Sequence, residues 1–242
     1  MRLLAAFFAL VALALPSATG AGDSFTVYAA ASLTEVFPKI DPSPRYSFAG
    51  SDQLALQMRQ GAPADVYAAA SPKYPQLLYH DGLVGKPITF ARNKLVVIVP
   101  SSNPAQINSV YDLRRSGVKV VIGDSGVPVG SYTRQLLDAL GITDAVMRNV
   151  VSQETDVKGI VGKVALGEAD AGFVYRTDAR PVATRVTMIA IPDWAQPPIR
   201  YQVAVVSSTA RRREARTFIR KVLSKRGRLK LRRAGFGLPR RR

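Results

Sequence analysis

The sequence predicts an α/β protein of two lobes, in which each lobe is a mainly parallel sheet flanked by helices. Strand and helix signals alternate along the chain, which is typical of α/β layers. Two near-continuous apolar stretches, residues 94–99 and 118–122, are typical of strands that are buried on both faces. The extended segments 93–100 and 200–207 are flanked by turn-forming residues, and we expect both to cross between lobes.

Local patterns predict the elements in order. The capping pattern Ser32-Leu-Thr-Glu35 favours a helix start, and the helix that begins near Leu54 is expected to stop at Gly61. Further helices are expected near residues 131–140, 156–167 and 211–224. The expected strands are residues 25–30, 45–48, 64–69, 94–99, 118–122, 171–175 and 201–206. We therefore expect lobe I at residues 22–98 plus 203–242 and lobe II at residues 99–202.

The N-terminus has the pattern of a secretory signal. Arg2 precedes an apolar run over residues 3–15, and small residues follow it. This run is too short for a membrane-spanning helix, which needs roughly 20 apolar residues. We expect residues 1–21 to be a cleaved signal peptide and the mature protein to be periplasmic. The chain has no cysteine, which excludes disulfides, thiol catalysis and a lipid-modified cysteine.

The positive charge is concentrated at the C-terminal end. The net charge is +17, and residues 211–242 hold fifteen Lys or Arg against the single acid Glu214, which leaves +3 for the rest. Such a segment indicates either contact with nucleic acid or the envelope surface, or a solvated helix face. For an exported protein we favour the solvated face, and we expect no nucleic-acid partner.

The sequence offers little for catalysis. His80 is the only histidine, and no HExxH or CxxC motif indicates a transition-metal site. Gly123-Asp-Ser-Gly126 resembles the nucleophile segment of trypsin-like proteases, but it follows a buried strand and precedes a helix, whereas those proteases are all-β. No GxxxxGK[ST] or GxGxxG segment indicates a nucleotide. We expect neither an enzyme nor a cofactor.

Four segments share one pattern, in which a short turn of small or polar residues leads from a strand to a helix start. The free N–H groups of a helix start and the helix dipole together favour a bound anion without Lys or Arg. The four segments are residues 30–34, 49–52, 127–131 and 154–157. Ordinary helix capping is the alternative for each of them.

Several longer motifs resemble the periplasmic molybdate-binding proteins of ABC importers, within the bacterial extracellular solute-binding proteins. The resemblance runs in order from about residue 25 to Pro239. It rests on Ala29-Ala-Ala-Ser-Leu-Thr34, Phe48-Ala-Gly-Ser51, Gly61-Ala-Pro-Ala-Asp-Val66, Gly123-Asp-Ser-Gly-Val-Pro-Val-Gly-Ser-Tyr132 and Gly167-Glu-Ala-Asp-Ala-Gly-Phe-Val-Tyr175.

The resemblance implies a two-lobed clamp of type II that binds molybdate or tungstate and delivers it to the membrane permease of an ABC transporter. Molybdenum would be bound only as the oxyanion, by a monomer, through Ser32, Ser51, Val129, Val157 and Tyr175. The serines would use hydroxyl and backbone N–H groups, the valines their backbone N–H and the tyrosine its phenol. The segment 41–48 is shorter than in typical relatives, which bears on the register of Ser51.

The donor set also predicts the kind of anion. Fixed N–H and O–H donors suit a fully ionised tetrahedral dianion, and these motifs supply no carboxylate ligand for a protonated anion, so we expect a neutral pocket. Sulfate has the same charge and shape as molybdate but is smaller, so a sulfate or thiosulfate binder remains the alternative. Molybdate and tungstate are too similar in size to separate.

Overall fold

Two five-stranded sheets form the framework of the protein. The computed structural model describes residues 25–239, so the expected signal peptide and residues 240–242 lie outside it. The strand order is β2-β1-β3-β10-β4 in the first sheet and β7-β6-β8-β5-β9 in the second. We call the first sheet with its helices lobe I and the second sheet with its helices lobe II.

Lobe I contains the two ends of the described chain. Its strands are β1 (Thr26–Ala30), β2 (Arg45–Ala49), β3 (Val66–Ala69), β4 (Ile88–Arg92) and β10 (Arg200–Val205). Its helices are α1 (Phe37–Ile40), α2 (Ser51–Arg59), α3 (Lys73–His80), α8 (Arg212–Leu223) and α9 (Lys225–Arg233). In α8 the buried residues Ala215, Phe218, Ile219 and Val222 follow helical spacing, which leaves the cations on the solvent side.

Lobe II is built from one continuous stretch of chain. Its strands are β5 (Leu95–Pro100), β6 (Val120–Gly123), β7 (Val150–Glu154), β8 (Ala171–Tyr175) and β9 (Val186–Ile189). Its helices are α4 (Pro128–Leu140), α5 (Thr143–Met147), α6 (Val157–Ala165) and α7 (Arg176–Ala179). The apolar runs in β6 and β8 are buried at every position, as expected for strands covered on both faces.

The two-lobed α/β architecture predicted from the sequence is confirmed, with one refinement of the sheets. Each sheet combines two parallel and two antiparallel pairings. The antiparallel pairings involve β10 in lobe I and β5 in lobe II, which are the strands that follow a change of lobe. The parallel strands β1, β2, β6 and β7 end at one edge of their sheets and lead into the turns described below.

The chain changes lobe at residues 93–94 and again between β9 and β10. The sequence placed the boundaries later, at 98/99 and 202/203, because it treated the extended runs as linkers. In the structure β5 is a fully paired strand between β8 and β9, and β10 is paired between β3 and β4. An extended, apolar pattern predicts a strand but does not say which sheet it joins. We therefore assign residues 95–199 to lobe II.

The described residues carry neither a membrane-spanning element nor an obvious metal cluster. Within residues 25–239 no helix is both long and apolar enough to cross a bilayer. The same part of the chain has no group of three or more His, Asp or Glu placed to hold a metal ion. The side chain of His80 is 90 % exposed at the end of α3.

Candidate anion-binding site

A small pocket between the lobes brings together all five residues predicted from the sequence. It encloses about 210 Å³ of empty space, including its mouth. Lobe I contributes Ala30, Ala31, Ser32, Ala49, Gly50, Ser51 and Ala70, and lobe II contributes Val127, Pro128, Val129, Asp156, Val157 and Tyr175. The segments that line it are the four strand-to-helix turns, the end of β8, and Ala70 directly after β3. The shorter segment 41–48 therefore does not move Ser51 away from Ser32.

Ser32 lies in a short 3₁₀ helix that follows β1 directly. Its side chain is buried, and its Oγ lies 2.9 Å from the hydroxyl of Tyr201. No α-helix that could direct its dipole at the pocket begins at Ser32, since α1 starts only at Phe37. The hydroxyl of Ser32, rather than a helix dipole, is thus the main polar feature at this corner of the pocket.

Ser51 is the first residue of α2, immediately after β2 and Gly50. Its Oγ accepts a hydrogen bond of 3.1 Å from the backbone N–H of Ala70, and its carbonyl accepts one of 2.6 Å from the Tyr67 hydroxyl. These two bonds fix the start of α2 against the end of β3. The hydrogen of the Ser51 hydroxyl is free to point into the pocket.

The first turn of α4 supplies the backbone of Val129 because two glycines let it approach β6. A Cβ on Gly130 would lie 2.0 Å from the Asp124 carbonyl oxygen, and one on Gly123 would lie 2.7 Å from the Gly130 nitrogen. Pro128 occupies the first helical position, where its missing N–H costs nothing. The next N–H, that of Val129, has no acceptor within the helix.

The first turn of α6 places the Val157 N–H at the pocket and also brings in a carboxylate. Asp156 caps the helix, and its Oδ1 accepts hydrogen bonds of 2.6 and 3.2 Å from the N–H groups of Lys158 and Gly159. The expectation of a pocket without a carboxylate is therefore corrected: Asp156 lines it. Since its Oδ1 is engaged by the helix, the cap leaves the first N–H, that of Val157, for a ligand.

Tyr175 ends β8, and among the lobe II residues that line the pocket it alone has a side-chain hydroxyl that can donate. It is 2 % exposed, and its hydroxyl has no hydrogen-bond partner among residues 25–239. Burial, reinforced by Tyr201, Tyr132 and Asp178, holds the pKa of this phenol well above its ordinary value. Tyr175 thus remains a neutral donor, and a buried donor without a partner costs free energy that a bound acceptor would recover.

A polar group that none of the sequence motifs includes, the hydroxyl of Tyr201, lies directly behind Ser32. The hydroxyl of Tyr201 contacts Ser32 and also lies 3.3 Å from Nδ2 of Asn93, which donates a second bond of 2.9 Å to Thr177 Oγ1. Asn93 lies in the first crossing and Tyr201 at the start of β10. Nothing local identifies the pair, because Tyr201 is 169 residues from Ser32 along the chain.

The two lobes also touch each other around the pocket. The Tyr74 hydroxyl of lobe I donates a hydrogen bond of 2.5 Å to the Gly126 carbonyl of lobe II. At Gly50 the approach is so close that a Cβ would lie 2.5 Å from the Thr155 carbonyl oxygen. The structure thus has its lobes in contact over the pocket.

Two carboxyl groups near the pocket have raised pKa values. Asp178, behind Tyr175, is 1 % exposed, and burial raises its pKa to about 7 although Lys158 Nζ lies 3.5 Å from Oδ1. Lys158 also reaches across the cleft, 3.8 Å from Oε1 of Glu35. In lobe I, burial and the facing Asp124 raise the pKa of Asp52.

Comparison with curated proteins gives close relatives over most of the chain. The molybdate-binding protein ModA of Mycobacterium tuberculosis is 39% identical over 231 residues, covering 91% of this chain and 87% of the relative. ModA of Escherichia coli is 30% identical, covering 75% and 76% of the two chains. A putative substrate-binding lipoprotein of an ABC transporter from Bacillus subtilis is 32% identical, covering 71% and 66%.

Solved structures share the fold. The periplasmic molybdate-binding protein of Azotobacter vinelandii superposes with a TM-score of 0.79 at 24% identity, covering 89% of this chain and 100% of that one. The sulfate-binding protein SubI of Mycobacterium tuberculosis gives a TM-score of 0.72 at 20% identity, with coverages of 88% and 86%. The family model for bacterial extracellular solute-binding proteins matches residues 25–237. The chain therefore belongs to the family of bacterial extracellular solute-binding proteins.

Proposed function

We propose that this protein binds molybdate, and also tungstate, through Ser32, Ser51, Val129, Val157 and Tyr175. The observation that carries the proposal is the convergence of these five donors on one small pocket between two lobes. The relatives that are 30–39% identical and bear the name molybdate-binding protein support the identity of the anion. None of the five residues carries a positive charge, so recognition rests on directed hydrogen bonds and helix termini.

The chemistry of the donors suits a tetrahedral dianion. Lobe I supplies two hydroxyls, and lobe II supplies two backbone N–H groups and one phenol, so donors line both sides of the pocket. Each hydrogen bond to a charged acceptor contributes roughly 1.5–3 kcal/mol. An anion too small to reach all of them loses one or two bonds, which corresponds to at least about tenfold in affinity. Size is therefore the basis on which sulfate is rejected.

The cellular role follows from the family and the N-terminus. We propose that residues 1–21 direct export, that the mature protein works in the periplasm as a monomer, and that it delivers the anion to an ABC transporter permease. The single-chain pocket supports the monomer, because both halves of the site come from the same chain. In this role the molybdenum is cargo, and the site carries out no chemical step on it.

Parallel calorimetric titrations of the mature protein with molybdate, tungstate and sulfate test the proposal. We expect one anion per chain, similar dissociation constants for molybdate and tungstate, and at least tenfold weaker binding of sulfate. Equal or tighter binding of sulfate would assign the pocket to the smaller oxyanion instead. Absence of heat and of thermal stabilisation with all three anions would refute an oxyanion site.

A further inference from the structure

The residues behind Ser32 form a chain of hydrogen bonds whose direction follows from the donors and acceptors that it contains. It runs from the first crossing between the lobes to the pocket. The backbone N–H of Lys94 donates to Oδ1 of Asn93 at 3.0 Å, Nδ2 of Asn93 lies 3.3 Å from the Tyr201 hydroxyl, and that hydroxyl lies 2.9 Å from Ser32 Oγ. Asn93, Tyr201 and Ser32 are all buried.

The direction follows from the first bond. A backbone N–H only donates, so the Asn93 atom that faces Lys94 is the oxygen, and the atom that faces Tyr201 is the NH₂ group. The NH₂ group only donates, so the Tyr201 oxygen accepts from Asn93. Its single hydrogen is then assigned to Ser32 Oγ, the other hydrogen-bonding partner of Tyr201 among residues 25–239. Ser32 Oγ then accepts from Tyr201, and its own hydrogen remains for the pocket.

Ser51 reaches the same state by a shorter route. Its Oγ accepts from the backbone N–H of Ala70, so its hydrogen is also left for the pocket. This bond involves no residue of the crossings. The two serines of lobe I are therefore both directed as donors, but only Ser32 depends on residues where the lobes join.

We propose that Asn93 and Tyr201 are positioning residues that direct the Ser32 hydroxyl as a donor to the bound oxyanion. This rests on the proposed function, and it deepens it by assigning a role to the junction between the lobes. The relay also touches lobe II, because Nδ2 of Asn93 donates to Thr177, two residues after Tyr175. The junction of the two lobes thereby sets the direction of a donor in lobe I.

Reversing the relay provides the sharpest test. In Asn93→Asp the carboxylate accepts from the Tyr201 hydroxyl, so Tyr201 has no hydrogen for Ser32 and instead accepts the Ser32 hydrogen. Ser32 then has nothing to donate to the anion. We expect Ser32→Ala to weaken molybdate binding at least tenfold in the otherwise native protein and less than about twofold in the Asn93→Asp background. The added charge is present in both members of the second comparison and cancels.

Ser51→Ala is the matched control, since Ser51 lies outside the relay. Its effect on the dissociation constant should be the same, within about twofold, in the native and Asn93→Asp backgrounds. Tyr201→Phe supplies a second arm that keeps the buried ring and adds no charge, and it should reduce the effect of Ser32→Ala to an intermediate value. All dissociation constants are measured by calorimetry with molybdate, with thermal unfolding as the check on folding.

The outcomes separate this inference from the proposed function. A native protein that binds no molybdate refutes the proposed function. A native protein that binds molybdate, together with a Ser32→Ala effect that is undiminished in both the Asn93→Asp and Tyr201→Phe backgrounds, refutes the relay alone. The relay is supported if, in the Asn93→Asp background, Ser32→Ala no longer weakens molybdate binding while Ser51→Ala still does. A general loss of structure would alter the effects of both serine substitutions.

Discussion

Lobe I and lobe II face the same pocket with donors that are held in different ways. In lobe I, Ser32 Oγ lies 2.9 Å from the Tyr201 hydroxyl, and Ser51 Oγ accepts a hydrogen bond from the Ala70 N–H. In lobe II, the hydroxyl of Tyr175 has no partner among the described residues, and the amides of Val129 and Val157 lie in the first turns of their helices. Lobe I is organised by its own hydrogen bonds, whereas lobe II has bonding capacity that an anion would satisfy.

Because of this difference, ligand binding should affect the hydrogen bonding of the two lobes differently. In the proposed site, an anion would add bonds to lobe I without replacing any, but it would remove a cost from lobe II. Substitutions in the two halves should therefore weaken binding alike and change the stability of the ligand-free protein in opposite directions.

The largest expected effect concerns the buried carboxyl behind the lobe II donor. The pKa of Asp178 is raised from 3.8 to about 7, so between these values the folded state binds more protons than the unfolded state. The free energy of unfolding should therefore fall as pH rises through this window, by about 1.4 kcal/mol per unit and roughly 4 kcal/mol in total. Asp178→Asn should abolish this fall.

Urea unfolding from pH 4 to pH 8 measures the effect. Asp193→Asn is the control, because that carboxylate is 80 % exposed and pairs with Lys94 at the surface. It should leave the pH dependence of the native protein unchanged. Identical pH profiles for native protein and Asp178→Asn would show that Asp178 is ionised in the folded state.

Tyr175→Phe should give the clearest sign of the lobe II arrangement. Loss of the phenol should weaken molybdate binding roughly tenfold to hundredfold, since a bond to a charged acceptor contributes about 1.5–3 kcal/mol. The ligand-free protein should at the same time become more stable, because a buried hydroxyl without a partner is removed. Calorimetry and chemical unfolding report the two quantities.

Tyr46→Phe is the matched comparison for Tyr175→Phe. The Tyr46 hydroxyl donates to the carbonyls of Asp41 and Phe37, away from the pocket. Its loss should lower stability and leave the affinity for molybdate unchanged. A ligand-free Tyr175→Phe protein that is destabilised as much as Tyr46→Phe would mean that the Tyr175 hydroxyl does have a partner.

Ser51→Ala tests the other half of the comparison. Affinity should fall roughly as for Tyr175→Phe, but the ligand-free protein should lose about 1 kcal/mol or more of stability, because the Ala70 N–H is left without its acceptor. Ser207→Ala, an exposed serine, controls for the change of residue type. If ligand-free Ser51→Ala were more stable than the ligand-free native protein, the proposed difference between the lobes would be wrong.

Gly50→Ala should prevent the two halves from meeting. The new Cβ would clash with the Thr155 carbonyl of the other lobe, and overpacking of this kind costs about 1–3 kcal/mol, or roughly tenfold to hundredfold in affinity. Gly162→Ala, where a Cβ meets no atom within 4 Å, should bind molybdate normally. Native affinity in Gly50→Ala would show that binding does not require this contact.

The smallest effect is expected at the contact between Tyr74 and Gly126. Tyr74→Phe removes one hydrogen bond between the lobes, a loss of about 0.5–1.5 kcal/mol or roughly threefold to tenfold in affinity. Tyr79→Phe, on the exposed side of the same helix, should have no effect. Equal titration curves for Tyr74→Phe and Tyr79→Phe would show that the hydrogen bond between Tyr74 and Gly126 does not contribute to molybdate binding.

Local signals predicted more of the fold than of its assembly. The apolar runs of β5, β6 and β8 and the helical spacing in α4, α6 and α8 were sufficient to predict these elements. Helix α3 begins with Lys73 after Pro72 and gave no comparable signal. The lobe to which β5 and β10 belong depends on strands far away in the chain, which no local pattern encodes.

The candidate site divides in the same way. The five predicted donors lie in short motifs that the family resemblance covers, and the structure brings all five to one pocket. Asn93 and Tyr201 act across 108 residues through single side chains, and neither lies in a motif with a recognisable pattern. Asp156 lies in one of the four turns identified from the sequence, but only the structure shows that its carboxylate caps α6 at the edge of the pocket.

A crystal structure of the mature protein grown with molybdate, with data collected at the molybdenum absorption edge, tests the central claim most directly. We expect one strong anomalous peak per chain, in the pocket between Ser32, Ser51 and Tyr175, with the N–H groups of Val129 and Val157 directed at the anion. A peak at another position, or a peak in the pocket that these donors do not contact, would contradict the proposed anion site.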